Sequence, residues 1–198
     1  MQKNRDLELL YELGTLRHVH RVWTQFHLPD VANLAEHHFR VCWIALILAK
    51  MEGATNTDKI LKMALVHDLS ESRTGDAHRI SKLYVKRDED GALAETLKNT
   101  GIGQEMLELW REYEKKQSIE ARIVKDADYL DLDLELQEQG AQGHKVQNIW
   151  SKHRPTDVHQ NLYTESAKKL AAGILSSNPF DWFENAEHVY KQKRNKNA

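Results

Sequence analysis

Hydrophobic residues recur every three or four positions along most of the chain, and polar residues fill the positions between them. This spacing is typical of amphipathic helices, whereas the strict alternation that marks half-buried strands does not appear. The first such segment contains Leu7, Leu10, Tyr11 and Leu13. It predicts a helix that ends near Gly14, because glycine commonly follows the last turn of a helix.

A second segment carries signals for both of its ends. Asn33 is the predicted N-cap, and Glu36, three residues later, completes a capping box. The helix runs to about Met51 and ends at Gly53. Its apolar face has helical spacing and consists of Leu34, His37, Val41, Ile44 and Leu48. A histidine therefore lies at the centre of a face that packs against the rest of the protein.

The remaining periodic segments predict further helices and no strands. Thr57 is the expected N-cap of a helix that reaches His67, and Ser118 is the expected N-cap of a long helix to about residue 138. Other helices are predicted at 80–86, 90–99, 104–116, 145–153, 163–175 and 179–191, with Pro179 at the first position of the last one. We therefore predict an all-α protein with one domain over residues 1–198. Its core covers about 5–175, and 179–198 form a C-terminal helix with a basic tail.

Composition and charge exclude several classes of function. The chain has 28 Lys and Arg residues against 30 Asp and Glu residues, a formal net charge of −2. We therefore expect no extended basic surface and no nucleic-acid polymer as partner. The longest apolar run, 41–49, is too short to span a bilayer. Cys42 is the only cysteine and the first residues lack a signal-peptide pattern, so we expect a cytoplasmic protein without membrane contact.

Ionisable residues follow the apolar run that ends at His67, namely Asp68, Glu71 and Asp76. A helix advances about 100° per residue, so a helix continuing past His67 would turn Asp68 and Glu71 toward its apolar side. A carboxylate in that place is costly to bury alone and needs a cation, and an imidazole beside it favours a metal ion. The alternative is that the helix frays and both carboxylates lie in water.

Acidic residues also crowd the long helix over 118–138, at positions 126, 128, 131 and 133. Asp131 lies nearest the centre of the apolar stripe of this helix, Asp128 lies about 100° from Ala127 on that stripe, and Asp133 faces outward. The simplest interpretation leaves most of these carboxylates in solvent.

Three predicted helices thus each offer a metal-ligand type on an apolar face: His37, then His67 with Asp68, then an aspartate near 128. Two imidazoles and two carboxylates suit one divalent transition metal ion such as Mn, Fe, Co, Ni or Zn. Four protein ligands leave positions open on a six-coordinate ion for water and a substrate oxygen. Open positions distinguish a catalytic metal from a structural one.

The order His, His-Asp, Asp resembles that of the HD superfamily of metal-dependent phosphohydrolases. Within it, the chain most resembles the branch that contains the bacterial 5′-deoxynucleotidase, over about residues 5–175. The motifs that carry this resemblance are Arg21-Val22-Trp23, Ala35-Glu36-His37, Val66-His67-Asp68, Glu71, Thr74-Gly75-Asp76 and Lys125-Asp126-Ala127-Asp128. One residue separates Arg21 from Trp23, whereas the family usually has none or two. Arg17 therefore stays an alternative for the functional arginine.

The resemblance implies that His37, His67, Asp68 and Asp128 bind the metal. Asp128 is chosen because the family's last aspartate lies three residues after a lysine, whereas helix geometry alone favours Asp131.

The resemblance also implies roles for residues around the metal. Glu71 and Asp76 are the expected catalytic carboxylates, and Arg21 and Trp23 are expected to contact the phosphate and the sugar of the substrate. The implied reaction is metal-dependent hydrolysis of (deoxy)nucleoside 5′-monophosphates to nucleoside and phosphate. Relatives in this branch are commonly homodimers, so a homodimer is expected here too.

Three other interpretations stay open: turnover of a nucleoside triphosphate or cyclic nucleotide, nucleotide binding without turnover, and a helical bundle whose histidines and aspartates pair with one another. Two further expectations concern single residues. His38 and the charged stretch 87–90 are expected at the surface. Trp110, Trp150 and Trp182 are expected in the core or in dimer contacts.

Overall fold

A computed structural model describes residues 4–28, 30–78 and 80–196, and helices dominate this part of the chain, which contains no strand. The all-α prediction is confirmed. The helices are α1 Arg5–Gly14, α2 Leu34–Glu52, α3 Thr57–Val66, α4 Glu71–Thr74, α5 Glu89–Leu97, α6 Gly103–Lys115, α7 Ile119–Ala141, α8 Val146–Trp150, α9 Arg154–Asp157, α10 Glu165–Ser176 and α11 Asp181–Lys196. The predicted domain limits, 1 and 198, lie outside the described residues.

The capping signals place most of the helix ends. The Asn33 side chain accepts a hydrogen bond from the Glu36 amide, and the Glu36 carboxylate accepts one from the Asn33 amide, so the predicted capping box is confirmed. Ser118 likewise caps α7. The prediction for α3 is wrong by one residue, because Asn56, not Thr57, accepts the hydrogen bond from the Lys59 amide.

Two predicted helices differ from the structure. Residues 80–86 form only one short 3₁₀ turn, Ser81–Leu83, because this segment has few buried residues to hold a longer helix. The last helix begins at Asp181, so Pro179 precedes it instead of opening it.

Helix α7 lies at the centre of the molecule and packs against α2, α3, α6, α8 and α10. The main core joins Ile44 of α2, Met63 of α3 and Ile123 of α7, all nearly inaccessible to solvent. Each such side chain contributes about 1.5–3 kcal/mol by leaving water. A second cluster around Leu34 and Trp110 fills the space between α1, α2, α5 and α6. Helix α7 therefore has neighbours on several sides, so acidic residues on more than one of its faces are buried.

The chain leaves the helical path at the end of α3. Helix α3 ends at Val66, and residues 67–70 form a turn before α4 starts at Glu71. The Trp110 indole N–H donates to the carbonyl of His67 at 3.1 Å and fixes this turn against α6. The prediction that the helix continues is wrong. The alternative of a frayed end in water is also wrong, because His67 and Glu71 are buried.

Among the described helices, none combines the length and the apolar composition that a bilayer crossing requires.

Candidate active site

Two histidines and two aspartates converge between α2, the turn after α3, and α7. One ligand-type atom from each of His37, His67, Asp68 and Asp128 lies within 4.8 Å of all the others. The Nε2 atom of His37 is 3.2 Å from Nε2 of His67, 3.7 Å from Oδ2 of Asp68 and 3.4 Å from Oδ1 of Asp128. The imidazoles that sequence analysis singled out thus point at one common centre.

The outer nitrogens of both imidazoles are already bonded. His37 Nδ1 lies 2.6 Å from an Asp131 oxygen, and His67 Nδ1 lies 2.8 Å from the Ala64 carbonyl oxygen. Both partners are acceptors, so each Nδ1 carries a hydrogen and each neutral ring turns its Nε2 lone pair to the centre. This is the tautomer and the outer-shell bonding that metal-binding histidines show. The donor set therefore fits a divalent transition metal ion.

The two candidate aspartates of α7 occupy different places. Asp128 contributes to the central group of donors, and its other oxygen accepts a hydrogen bond from Lys125 at 2.7 Å. Asp131 lies behind His37 and also accepts from Arg40 at 2.5 Å. Helix geometry correctly placed Asp131 near the buried stripe, but its contact is with the outer nitrogen of the imidazole.

Negative charge exceeds positive charge at the centre of the group. Burial disfavours a protonated His37, yet hydrogen bonds to Asp128, Asp131 and Asp68 hold its pKa well above the usual value. Burial would raise the pKa of Asp128, but the Lys125 ammonium and the two imidazoles hold it well below the usual range. The site is built to hold positive charge.

Glu71 lies beside this group with one oxygen unused. Its Oε1 is 3.2 Å from a guanidinium nitrogen of Arg87, while Oε2 is buried without a hydrogen-bond partner in the described part of the chain. Burial, together with the charges of Asp68 and Asp76, raises the pKa of Glu71 to about 9. A buried carboxylate oxygen without a donor is costly, and such groups are common where a bound water or substrate completes the site.

The expectation that Arg87 belongs to a solvated stretch is wrong. Its side chain is 8% exposed and contacts Glu71, Glu89 and the Gly75 carbonyl oxygen. Arg87 thereby orients one oxygen of Glu71. The sequence offered no signal for this role, since Arg87 lies in a run of charged residues that is typical of an exposed segment.

Arg21, not Arg17, reaches the site. A terminal nitrogen of Arg21 is 3.5 Å from Oδ2 of Asp68, and its Nε is 3.6 Å from Oδ2 of Asp76. Asp76 also accepts from the Val22 amide at 3.1 Å and so ties the Arg21 segment to the segment after α4. Arg21 is buried, whereas Arg17 is exposed and donates to His18.

Trp23 opens onto a cavity of about 480 Å³. Leu132 lines the same cavity and lies one helical turn after Asp128, whereas none of the four donor residues is among its lining residues. The ring of Trp150 packs edge-on against Trp23, with centroids 4.5 Å apart, and against Phe26 at 5.3 Å. The polar part of the lining comes from His78, His153, Arg154 and Asp157.

The three tryptophans with expected core or dimer positions differ from one another. Trp110 is a core residue as expected, Trp182 is exposed, and Trp150 lines the cavity. No local pattern links Trp150 to Trp23, because the two are far apart along the chain and meet only in the fold. His38, expected at the surface, is buried with its ring centroid 4.8 Å from that of His67.

Two other acidic residues of α7 are buried away from the donor group. Asp126 accepts hydrogen bonds from the Tyr163 and Thr164 amides at 2.9 and 2.8 Å. Asp133, predicted to face outward, contacts Arg154 and lies 2.9 Å from Nε2 of His159. The expectation that most of this acid lies in solvent is wrong, since α7 has neighbours on opposite sides.

The helical fold and its His, His-Asp, Asp donors define a class of protein that comparison with known families identifies. The chain matches the family described as HD domain over residues 13–171, and it belongs to that family.

Individual relatives extend this result. The chain is 30% identical over 183 residues to the 5′-deoxynucleotidase HDDC2 of Danio rerio, an alignment that covers 84% of this chain and 90% of the relative. It is 32% identical over 154 residues to the 5′-deoxynucleotidase HDDC2 of Dictyostelium discoideum, covering 72% and 81%. Among solved structures, a conserved hypothetical protein from Pyrococcus furiosus is similar, with a TM-score of 0.72 at 26% identity, covering 86% of this chain and 99% of that one.

Proposed function

We propose that this protein is a metal-dependent 5′-nucleotidase that hydrolyses (deoxy)nucleoside 5′-monophosphates to nucleoside and inorganic phosphate. The observation that carries the proposal is the convergence of four donor side chains within 4.8 Å beside a buried arginine and a carboxylate with an unused oxygen. Relatives named 5′-deoxynucleotidases, at about 30% identity, support the choice of substrate.

In this proposal His37, His67, Asp68 and Asp128 hold one divalent transition metal ion. When bound, the ion supplies a water of lowered pKa and neutralises charge on a phosphoryl oxygen. Asp131 and the Ala64 carbonyl keep both imidazoles in the tautomer that ligation requires.

Glu71 is the proposed general base. Its unused Oε2 accepts a hydrogen bond from the attacking water and takes the proton as the water attacks phosphorus. Arg87 holds the other oxygen and so fixes the direction in which Oε2 points. Asp68 is the largest charged contributor to the raised pKa of Glu71, so neutralising Asp68 with a cation lowers that pKa toward the working pH.

Arg21 is the proposed phosphate-binding residue. Its planar guanidinium suits two oxygens of a phosphate, and burial strengthens that interaction. Asp76 contacts both the Arg21 side chain and the Val22 backbone, which favours a positioning role. In the proposed reaction the leaving 5′-oxygen takes a proton from Asp76 or from solvent, and the catalytic role of Asp76 stays a prediction.

The cavity lined by Trp23 is the proposed place of the nucleoside. Trp23, Phe26 and Trp150 supply apolar faces for a sugar and a base, and His153 and Asp157 supply polar atoms at the rim. The volume of about 480 Å³ is in the range of small-molecule sites. The cytoplasmic location and the absence of a nucleic-acid partner stay predictions from the sequence.

The test is phosphate release from a panel of deoxyribo- and ribonucleoside 5′-monophosphates with Co, Mn, Fe, Ni or Zn added. We expect Asp68→Ala to lose both the metal and the activity, because a ligand is removed. Glu71→Gln should keep the metal and slow turnover by about 10²–10⁴-fold, the usual contribution of a general base. Equal activity of wild type and Glu71→Gln would contradict the assignment of the base.

The same panel separates the other interpretations. Including a triphosphate, a cyclic nucleotide and a 3′-monophosphate tests turnover of other nucleotides. Tight binding of a monophosphate, measured by calorimetry, with no phosphate release in any metal would favour a binding domain instead of an enzyme. A melting temperature unchanged by chelator would favour a helical bundle that holds no metal.

A further inference from the structure

Arg40 ties helix α2 to helix α7 directly behind His37. The Asp131 carboxylate lies between these two residues of α2. Its Oδ2 is 2.6 Å from Nδ1 of His37, and its Oδ1 accepts a hydrogen bond from Nε of Arg40 at 2.5 Å. His37 and Arg40 are three residues apart and therefore lie on the same side of α2. One carboxylate of α7 thus holds both a donor residue of the site and the arginine next to it.

The other two guanidinium nitrogens of Arg40 also bond to α7. One donates to both carboxylate oxygens of Glu138 at 2.8 Å, and the other lies 3.3 Å from Oε2 of Glu135 and 3.4 Å from the Asp131 carbonyl oxygen. Positions 131, 135 and 138 share one side of α7, so the planar guanidinium lies along that side. It cannot turn away from Asp131 without breaking several hydrogen bonds at once.

The two histidines of the donor group are supported in different ways. Nδ1 of His67 is held by the carbonyl oxygen of Ala64, three residues earlier in the same segment of the chain. Nδ1 of His37 is held by Asp131, which lies on another helix. The orientation of His37 therefore depends on how α2 and α7 are joined, whereas that of His67 is set locally. Arg40 makes the join at the place where this dependence arises.

We propose that Arg40 is a positioning residue for the metal ion, an inference that rests on the proposed function. It acts through Asp131: by fixing this carboxylate it holds the His37 ring with Nε2 toward the other donors. It also keeps α2, which supplies His37, joined to α7, which supplies Asp128. Outer partners of metal-binding histidines commonly change metal affinity 10–100-fold when they are replaced. An arginine suits this place because its fork bonds several carboxylates at once, whereas a lysine offers one ammonium.

The first test measures the metal affinity of Arg40→Met, which keeps an unbranched side chain and removes its charge. Protein stripped with chelator is titrated with Co²⁺ in competition with a chelating indicator dye. The Co²⁺ dissociation constant of Arg40→Met should rise at least about 10-fold above that of wild type. Arg40→Lys should give a value between the two, because it restores the charge near Asp131 but not the fork. Circular dichroism checks that each variant is folded.

Lys59 offers a matched control. Its side chain is 26% exposed, against 27% for Arg40, and its Nζ lies 2.7 Å from Oε1 of Glu112 and 3.7 Å from Oε2 of Glu120. Lys59 thus joins α3 to α6 and α7 through carboxylates that lie outside the donor group. Whatever stability Lys59→Met loses, its Co²⁺ dissociation constant should stay within about 2-fold of wild type, because the two sites share no partner.

A double-mutant cycle tests the route through Asp131. Asp131→Asn keeps the size of the side chain but removes its charge, and it should itself weaken Co²⁺ binding. The double variant Arg40→Met with Asp131→Asn should bind Co²⁺ within about 2-fold of Asp131→Asn alone, because the effect of Arg40 passes through the residue already changed. At saturating Co²⁺ the visible absorption of the bound ion, which depends on ligand geometry, should differ from wild type in Arg40→Met and not in Lys59→Met.

Several results would overturn the proposal. An unchanged Co²⁺ dissociation constant in folded Arg40→Met shows that Arg40 does not position the ion. Additive losses in the double variant show that Arg40 does not act through Asp131. A loss of equal size in Lys59→Met reduces the effect to general destabilisation. These three results leave the proposed function intact, whereas a wild type that binds no divalent metal contradicts both.

Discussion

Opposite faces of α7 each carry a buried or half-buried aspartate, but the surroundings of the two aspartates differ. On one face Asp126 accepts hydrogen bonds from two backbone amides and the Thr164 hydroxyl, so its needs are met inside the protein. On the other face Asp128 lies with Asp68 and the imidazoles of His37 and His67 in a group whose four ligand-type atoms are within 4.8 Å of one another. A carboxylate whose hydrogen bonds are all made within the protein needs no ligand, whereas two carboxylates grouped with two imidazoles form a set of donors that fits a cation.

The partners of a buried carboxylate distinguish a structural residue from a candidate functional residue better than its burial does. Asp126, Asp131 and Asp133 are all buried, and each has fixed donors from the protein. Asp128 has one lysine partner, and its second oxygen points at three other ligand-type atoms. The useful question for a buried carboxylate is therefore which donors it faces.

The largest effect is expected at the site face. Asp128→Asn removes one charge from the donor group, which should abolish stoichiometric metal binding. It should lower the rate of phosphate release by about 10³-fold or more, since a metal supplies several kcal/mol of charge stabilisation. Activity near the wild-type rate would show that Asp128 is not a ligand.

The same chemical change two residues earlier should act on stability instead. Asp126→Asn replaces an acceptor with a donor that faces backbone N–H groups, which should cost about 1–3 kcal/mol of unfolding free energy. For a domain of this size that is a fall of about 2–12 °C in the melting temperature. Metal content and turnover per folded molecule at 25 °C should stay at wild-type values. Loss of metal in Asp126→Asn, with an intact fold, would contradict the prediction that only the face with Asp128 takes part in metal binding.

A smaller effect is expected from Glu71 in metal-free protein. Its folded-state pKa of about 9 exceeds the value of an unfolded chain, so the ionised carboxylate costs stability as the pH rises between the two values. Glu71→Gln removes that cost. In chelator at pH 8 the unfolding free energy of the variant should exceed that of wild type by about 1 kcal/mol or more. This gain should shrink at pH 5. A gain that does not depend on pH would contradict the raised pKa.

Local sequence signals predicted the helices well because capping is a local property. The capping box of Asn33 with Glu36 and the cap at Ser118 are decided by residues three apart. The end of α3 could not be read in this way. The turn after Val66 is fixed by Trp110, a residue more than forty positions away.

The donor group and the residues around it were also predicted only in part from local sequence signals. Helical geometry found His37 and placed Asp131 near the buried face, but it assigned Asp133 to solvent because a helical wheel has a single inward direction. A helix with neighbours on opposite sides has two. Arg87 and Trp150 were also missed, since their contacts with Glu71 and Trp23 arise only from the packing of distant segments.

The hypothesis to be tested first is that His37, His67, Asp68 and Asp128 share one ion that is required for phosphomonoester hydrolysis. Its most direct test measures metal per chain by elemental analysis of the purified protein, alongside phosphate release from deoxynucleoside 5′-monophosphates, for wild type and His67→Ala. We expect one divalent transition metal ion per wild-type chain, and loss of both the ion and the activity in the variant. Full activity of wild type after its metal has been removed by chelator would contradict it.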